Sequence, residues 1–238
     1  MIGIIGAMDK EVDDLKELMS GPKDVSLRPI VKNISGMDFW EGTLSGHDIV
    51  LVRSGIGKVN AAVAAEILAV VYKVRAIINT GIAGSLDARI DIGDIVLATD
   101  AMEHDMDVAG LGYERGIVPD QEVSIYPADE GLRTIAKKAC EKVNKDIRVF
   151  EGRVVSGDQF ISNKEQKEAI IRSVGGICTE MEGAAIAHTA WLSKVPYLVI
   201  RSISDKADDS ADMDYPTFQK KAIEHEVRLI TEMMSMMS

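Results

Sequence analysis

The chain has 238 residues, of which 46% are hydrophobic and 27% charged, so it can bury a full core and is not intrinsically disordered. Its 27 basic and 38 acidic residues give a net charge of −11, which disfavours nucleic acid and anionic membrane surfaces as partners. Cys140 and Cys178 form neither a zinc motif nor a disulfide framework and are typical of a reducing compartment. No signal peptide or membrane-length apolar run is visible, so we expect a cytoplasmic protein.

Short runs rich in valine and isoleucine alternate with helical patterns along the chain. The predicted strands are Ile2–Gly6, Asp48–Ser54, Ala76–Thr80, Asp94–Thr99, Val149–Val155, Ile177–Thr179 and Tyr197–Ser202. The predicted helices are Lys10–Met19, Lys58–Tyr72, Asp129–Asn144, Lys164–Ser173, Gly183–Ser193 and Pro216–Met237. Strands without polar alternation are typical of a sheet that is covered on both faces. We therefore predict an α/β fold in one domain, residues 1–238, with three α/β/α layers and a mostly parallel central sheet.

Glycines and reactive side chains gather at the predicted carboxyl ends of five strands. In open parallel sheets, ligands bind beyond these ends. The segments there are Gly6-Ala-Met8 with Glu11, Ser54-Gly-Ile-Gly57-Lys58, Asn79-Thr-Gly81-Ile-Ala-Gly84, Glu180-Met-Glu182 and Arg201-Ser-Ile-Ser204-Asp205. Carboxylates, one arginine and several tight turns are thus predicted to converge at one edge of the sheet. This composition is typical of an active site.

Each carboxylate also has a purely structural interpretation. Glu11 is placed to stabilise the first turn of its helix. Either Glu180 or Glu182 is placed to cap the alanine-rich helix that follows. Asp205 opens an acidic loop that solvent could hydrate. Their convergence on one edge favours a functional site over these separate interpretations.

Three further features are weaker signals. The turn Gly55-Ile-Gly57-Lys58 lacks the first glycine and the final Ser or Thr of a P-loop, so it predicts a tight turn close to a ligand. His104-Asp105-Met106-Asp107 places its polar residues on an irregular loop, and we expect no metal there. His188 lies on an apolar helix and is predicted to be packed and hydrogen-bonded. The segment Asp100–Glu130, which contains that loop, has no clear periodicity, and such long loops tend to be functional or to contact a partner.

Six sequence blocks occur in one order along nearly the whole chain. They are Ile4-Ile-Gly-Ala-Met8-x-x-Glu11-Val12, Ser54-Gly-Ile-Gly-Lys-Val59, Asn79-Thr-Gly-x-Ala-Gly84, Val155-Ser-Gly-Asp-x-Phe160-Ile161, Glu180-Met-Glu182 with Ala185-Ile-Ala-His188, and Arg201-x-Ile-Ser-Asp205. Together they resemble the 5'-methylthioadenosine/S-adenosylhomocysteine nucleosidases of the nucleoside phosphorylase superfamily. The resemblance implies a nucleoside phosphorylase-like fold with a mixed sheet, hydrolysis of adenine nucleosides, a homodimer, and no metal or organic cofactor.

The resemblance also implies roles for particular residues. Glu11 would activate the attacking water, and Arg201 would lie near that water. Asp205, beside Ser204, would donate a proton toward N7 of adenine, and Glu182 would bind the ribose hydroxyls. The other implied substrate contacts are Met8, Ile56, Ile82, Ala83, Gly84, Phe160, Ile161, Met181 and Tyr215. A loop of the neighbouring subunit would complete the 5' end of the pocket through Val108, Leu111, Tyr113 and Pro119.

The chemistry itself requires these residue types. Departure of adenine leaves an oxocarbenium-like ribosyl group, which a carboxylate beneath the ring stabilises. A neutral base leaves only when it is protonated, so one carboxyl must keep its proton near pH 7 through burial. The other carboxyl must stay ionised to orient water.

One departure from the family pattern and two rival functions remain. The family usually has serine where this chain has Ile82, so water positioning would rest on Glu11, Arg201 and Glu182, or the preferred substrate differs. A purine nucleoside phosphorylase would use phosphate, which a glutamate in Met8-Asp-Lys-Glu11 would repel. A non-catalytic nucleoside-binding protein would not need a general acid, so retention of the carboxylates favours hydrolysis.

Overall fold

In the computed structural model, which describes residues 1–22, 28–208 and 210–237, ten strands and six α-helices alternate along the chain. The strands are β1 (Ile2–Gly6), β2 (Ile30–Ile34), β3 (Met37–Leu44), β4 (His47–Arg53), β5 (Ile77–Ser85), β6 (Ile95–Glu103), β7 (Tyr126–Pro127), β8 (Val149–Ser156), β9 (Cys178–Glu180) and β10 (Tyr197–Asp205). The helices are α1 (Asp9–Leu18), α2 (Lys58–Glu66), α3 (Glu130–Val143), α4 (Lys164–Ser173), α5 (Gly183–Ser193) and α6 (Ala211–Met236).

All of the described strands join one mixed sheet in the order β10-β6-β8-β9-β5-β1-β4-β3-β2, with β7 paired to β6. The sheet contains two groups of parallel strands. One group is β4, β1, β5 and β10, and the other is β6, β8 and β9. Strand β10 also pairs with β5, so five strands close into a ring through the antiparallel β10–β6 and β5–β9 pairs. The predicted mixed sheet with parallel central strands is confirmed.

Helices cover both faces of the sheet. In β1, Ile4 packs into a core with residues of α1, α3 and α6, whereas the next residue, Ile5, packs into a core with residues of α2 and α5. Successive strand residues point to opposite faces, so a strand buried on both sides is apolar throughout. The same two-sided burial holds along Tyr197–Asp205. The predicted three-layer arrangement is therefore confirmed.

Several elements differ from the prediction. Strands β2 and β3 were not predicted, because only four of the eight residues of β3 are buried and the middle of β2 is exposed. Strands β5, β6 and β10 run three to five residues beyond their predicted ends, so Gly81–Gly84 and Ser204–Asp205 lie within strands and not after them. Helix α2 continues as a π-helical turn, and α6 begins at Ala211, before Pro216.

Two sequence expectations concern membranes and sulfur chemistry. In the part of the chain that the structure describes, no helix is both long and apolar enough to cross a membrane. Cys140 and Cys178 are buried free thiols on α3 and β9. Burial raises the pKa of both thiols, so they pack as small apolar residues and are poor nucleophiles.

Candidate active site

A cavity of about 540 Å³ opens beside the carboxyl ends of β1, β5, β9 and β10. All nine residues named above as substrate contacts line it, as does Ser204, which is also predicted to contact substrate, together with Glu11, Glu182 and Asp205. Its wall also contains residues that the sequence did not single out as contacts: Ala7, Gln159, Thr179, Glu180 and Pro216. Arg201 and the four loop positions predicted for the neighbouring subunit do not line it. The fold thus brings three of the four predicted catalytic side chains to one cavity.

Glu11 reaches the cavity from the first turn of α1. Its Oε2 accepts hydrogen bonds from the amides of Ala7 (2.7 Å) and Met8 (3.0 Å), and its Oε1 accepts one from the amide of Ile82 (3.3 Å). Burial raises the pKa of Glu11, while the Arg201 charge and the three amides act against this rise. Glu11 therefore caps its helix, as the structural interpretation held, and also lines the cavity.

Asp205 ends β10 and is buried in the cavity wall. Its Oδ2 accepts a hydrogen bond from the Ser204 hydroxyl and its Oδ1 accepts one from the Ala207 amide, both at 2.8 Å. Burial raises the pKa of Asp205 despite these two donors. The structural interpretation of Asp205 as part of a solvent-hydrated loop does not hold, because this residue is the buried last residue of β10. Its environment favours the protonated form.

Glu182 lies at the N-terminus of α5 and meets the glycine turn that precedes α2. Its Oε1 accepts a hydrogen bond from the Gly57 amide at 2.8 Å. Gly57 and Gly55 have φ of 95° and 85°, a left-handed conformation that glycine adopts without strain. Burial, reinforced by the charge of Glu180, raises the pKa of Glu182 to about 8. The turn therefore borders the cavity through Ile56 and holds an acidic side chain in the cavity wall, and its closeness to a ligand stays a prediction.

Arg201 is buried behind the cavity instead of in its wall. Its guanidinium donates to the Glu180 carboxylate and to the side-chain oxygen of Asn79. Glu180 also accepts from Ser156 and from the Gly183 amide (2.8 Å), so it caps α5 as one structural interpretation held. Burial acts to raise the pKa of Glu180, but the Arg201 charge and the hydrogen bonds from Ser156, Arg201 and Gly183 together lower this pKa. The guanidinium is thus held by Glu180 and Asn79 outside the cavity wall, and its expected place near the attacking water stays a prediction.

Aromatic side chains form the rim of the cavity. Phe160 is 46% exposed, and its ring meets that of Tyr215 edge to face with centroids 5.8 Å apart. The Tyr215 hydroxyl lies 3.3 Å from the sulfur of Met8. Such a rim suits a flat, aromatic ligand because aromatic faces stack at low entropic cost.

The loop His104-Asp105-Met106-Asp107 does not gather its polar side chains around a metal site. Asp105 pairs with Lys58 (2.6 Å), Asp107 accepts from the Ala109 amide (3.1 Å), and His104 is buried. Within residues 1–22, 28–208 and 210–237, no group of three or more His, Cys, Asp or Glu side chains is placed to hold a metal ion. His188 is packed as predicted, since its ring stacks on Tyr126 with centroids 4.6 Å apart.

The loop positions predicted for a neighbouring subunit lie on the surface. Leu111 is 75% exposed and Tyr113 40% exposed, while Val108 and Pro119 are partly exposed. A three-residue 3₁₀ turn, Ala109–Leu111, holds this part of the loop. Apolar side chains at such exposure are available for a partner, and their contact with a neighbouring subunit stays a prediction.

Comparison with known proteins identifies the class that this fold and site define. A family model of the Phosphorylase superfamily matches residues 1–235, and the chain belongs to this superfamily. It is 37% identical to the 5'-methylthioadenosine/S-adenosylhomocysteine nucleosidase of Staphylococcus carnosus, over 98% of this chain and 99% of the relative. Within the superfamily, the chain therefore belongs to the family of 5'-methylthioadenosine/S-adenosylhomocysteine nucleosidases, and the predicted resemblance is confirmed.

Solved structures agree with this assignment. The nucleosidase of Neisseria meningitidis in complex with methylthio-immucillin-A superposes with a TM-score of 0.91 at 33% identity, over 99% of each chain. Futalosine hydrolase of Helicobacter pylori superposes with a TM-score of 0.89 at 30% identity, over 98% of this chain and 96% of that one. Both comparisons cover the segments that form the cavity.

Proposed function

We propose that this protein hydrolyses the N-glycosidic bond of 5'-methylthioadenosine, S-adenosylhomocysteine or a related 5'-modified adenine nucleoside and releases adenine. The observation that carries the proposal is the meeting of Glu11, Glu182 and Asp205 in one cavity, each buried and each with a raised pKa. Family membership supports the same reaction, because the relatives are named for it.

The three carboxyl groups have environments that suit different steps. Asp205 keeps its proton through burial and donates it toward N7 of the departing adenine. Glu11 receives three amide hydrogen bonds and the field of Arg201, which favour its ionised form, so it accepts a proton from the attacking water. Glu182 accepts hydrogen bonds from the ribose hydroxyls. Arg201 acts on Glu11 and Glu182 through its charge, since it does not reach the cavity wall.

A phosphate requirement separates hydrolysis from phosphorolysis. Glu11, Glu182 and Asp205 line the cavity without a lysine or arginine among its lining residues, which disfavours a phosphate anion. We expect adenine release from methylthioadenosine at the same rate with and without phosphate, with a free methylthioribose as the second product. A strict dependence on phosphate and formation of a ribose 1-phosphate would make the protein a phosphorylase. Binding without turnover would make it a nucleoside-binding protein.

The 5' substituent is what distinguishes the candidate substrates from one another. The proposed experiment compares kcat/KM for methylthioadenosine, S-adenosylhomocysteine and 5'-deoxyadenosine. Futalosine belongs in the same series, because a structural neighbour is a futalosine hydrolase. The substrate with the highest kcat/KM identifies the preferred 5' group.

Assembly and location are also proposals. Exposed apolar side chains on α2 and α5 (Val59 at 76% and Leu192 at 61%) and the exposed Leu111 support a homodimer in which each loop completes the partner's site. Helices α2 and α5, which carry Val59 and Leu192, pack on each other. We further propose that residues 1–238 act as one domain in the cytoplasm. The sheet supports the single domain, because it joins strands from both ends of the chain.

A further inference from the structure

Glu226 is a buried carboxyl group on α6 that the proposed mechanism does not use. It is 2% exposed, and its Oε1 accepts hydrogen bonds from the amides of Gly81 (2.9 Å) and Ser202 (3.2 Å). Gly81 belongs to β5 and Ser202 to β10, and the register places Arg201 opposite Gly81. A single side-chain oxygen thus joins two strands at the level of the cavity.

Gly81 is the point at which Glu226 meets the candidate catalytic groups. A Cβ atom at Gly81 would lie 2.8 Å from Oε1 of Glu11 and 3.0 Å from Nη1 of Arg201, so the backbone there touches both. The next amide, that of Ile82, donates to Oε1 of Glu11. Fixing the Gly81 amide therefore also restrains the next amide along β5, which is one of the three that hold Glu11.

The charges around Gly81 do not balance if every group is ionised. Glu11, Glu180, Glu182 and Glu226 are all buried, and Arg201 is the cation that acts on them. Glu180 takes the ion pair with Arg201, so Glu11, Glu182 and Glu226 feel the Arg201 charge without a direct ion pair to it. Burial and then the charge of Glu11 raise the pKa of Glu226 well above its usual value. Two like charges this close cannot both persist in a dry interior, so one of the pair carries a proton.

The hydrogen bonds indicate which group carries it. Glu11 uses both oxygens to accept three amides, as a carboxylate does. Glu226 accepts both amides on one oxygen, as the carbonyl oxygen of a neutral carboxylic acid does, and its other oxygen is left to carry the hydrogen. We propose that neutral Glu226 is a positioning residue that clamps Gly81 to β10, holds the Ile82 amide on Glu11 and leaves the negative charge on Glu11.

The groups that face Glu226 from its neighbours are few. Glu11 faces it from α1 and Arg201 from β10, and these two act on its pKa. Strand β5 contributes backbone amides, and α3 meets α6 through an apolar core and the exposed Lys142–Glu232 pair. The neighbouring His225 is turned toward the Gly93 carbonyl. The proposal rests on the proposed function only in the role that it gives to Glu11.

The first test separates the clamp from a general packing role. Glu226→Leu removes the acceptor for two buried amides, and we expect kcat to fall about tenfold or more while KM for methylthioadenosine changes less than about threefold. Glu226→Gln restores an uncharged acceptor and should recover most of the lost kcat. A Gln variant that folds but is as slow as the Leu variant would overturn the neutral clamp. Full activity in both would overturn the positioning role.

The second test reads the proton directly and needs no substrate. A glutamate with a raised folded pKa loses stability as pH rises above its unfolded pKa of about 4.3, and glutamine has no such loss. The Tm of Glu226→Gln minus that of wild type should therefore increase steadily from pH 5 to pH 8. Glu224→Gln, the same change at an exposed position of α6, is the control and should track wild type. A pH-independent difference for Glu226→Gln would overturn the proposal even if the protein hydrolyses nucleosides. Failure of hydrolysis alone would leave this test intact.

Discussion

At the scale of single residues, Glu11 combines a helix cap with a proposed general base, and one substitution separates these roles. Glu11→Gln keeps an acceptor for the Ala7 and Met8 amides but cannot take a proton. We expect turnover to fall about 10²-fold or more, because positioned acid–base groups contribute about 10²–10⁴, with nucleoside binding largely intact. Steady-state kinetics and calorimetric titration with methylthioadenosine measure both quantities. Near-normal turnover would assign water activation to another group.

Asp205 is expected to act only when it is protonated. Burial raises the pKa of Asp205, so kcat/KM for methylthioadenosine should be at its maximum at pH values below this pKa. It should fall as pH rises through the pKa and Asp205 loses its proton. Asp205→Asn should cut kcat on methylthioadenosine about 10²-fold or more. On a p-nitrophenyl riboside, whose leaving group needs no proton, the loss should be much smaller and the alkaline fall absent. Equal losses on both substrates would mean that Asp205 only holds the site together.

Ile82 stands where the family usually has serine, and the structure gives it a second role. It is 8% exposed and packs against Ala222 and Ile223 of α6 while also lining the cavity. Ile82→Ser restores a hydrogen bond worth about 0.5–1.5 kcal/mol, so kcat/KM for methylthioadenosine should rise about two- to tenfold. Its Tm should fall because apolar packing is lost. Ile82→Val is the control for size. A uniform fall on methylthioadenosine, S-adenosylhomocysteine and 5'-deoxyadenosine would instead assign Ile82 to packing alone.

At the scale of elements, the ion pair between Glu180 and Arg201 ties the start of α5 to β10. Removing one partner leaves a buried guanidinium without its anion, which costs about 3–5 kcal/mol. We therefore expect Glu180→Gln to lower the free energy of unfolding by about that amount in urea denaturation. Glu168→Gln breaks an exposed pair with Arg172 on α4 and should cost less than about 0.5 kcal/mol. Similar losses in the two variants would show that the buried pair adds nothing to stability.

Local signals placed some elements well and missed others. The predicted bounds of α4 and α5 are those observed. Helix α4 begins where the Asn163 side chain accepts a hydrogen bond from the Gln166 amide, and α5 ends at Lys194, which has a left-handed conformation. The β2–β3 hairpin escaped prediction, although Ser35 and Gly36 both have positive φ, because its edge strand carries mostly exposed residues. A strand that buries one face or neither gives a weak apolar signal.

At the scale of the whole molecule, the proposed homodimer predicts that each active site uses two chains. Sedimentation at assay concentrations should give a dimer. Glu11→Gln and the double variant Leu111→Ala, Tyr113→Ala should each be poorly active alone. If they exchange subunits at random, half of the dimers are mixed and each has one intact site, so activity should return to about one quarter of wild type. A fully active monomer, or no recovery on mixing, would remove the composite site.

The sequence by itself determined the layers of the fold, the order of its motifs and the group of side chains that line the cavity. The layers and the gathering of carboxylates and glycine turns follow from periodicity and strand ends, which are local properties of the chain. The individual lining residues, such as Phe160 and Tyr215, were implied by the resemblance of the ordered motifs to a known family. The roles of Arg201 and Glu226 were decided only by tertiary structure. Glu226 meets Gly81 across 145 residues, and Arg201 turns from the cavity to Glu180 across 21. Which carboxyl group keeps its proton also depends on burial and on neighbouring charges, and both exist only once the chain has folded.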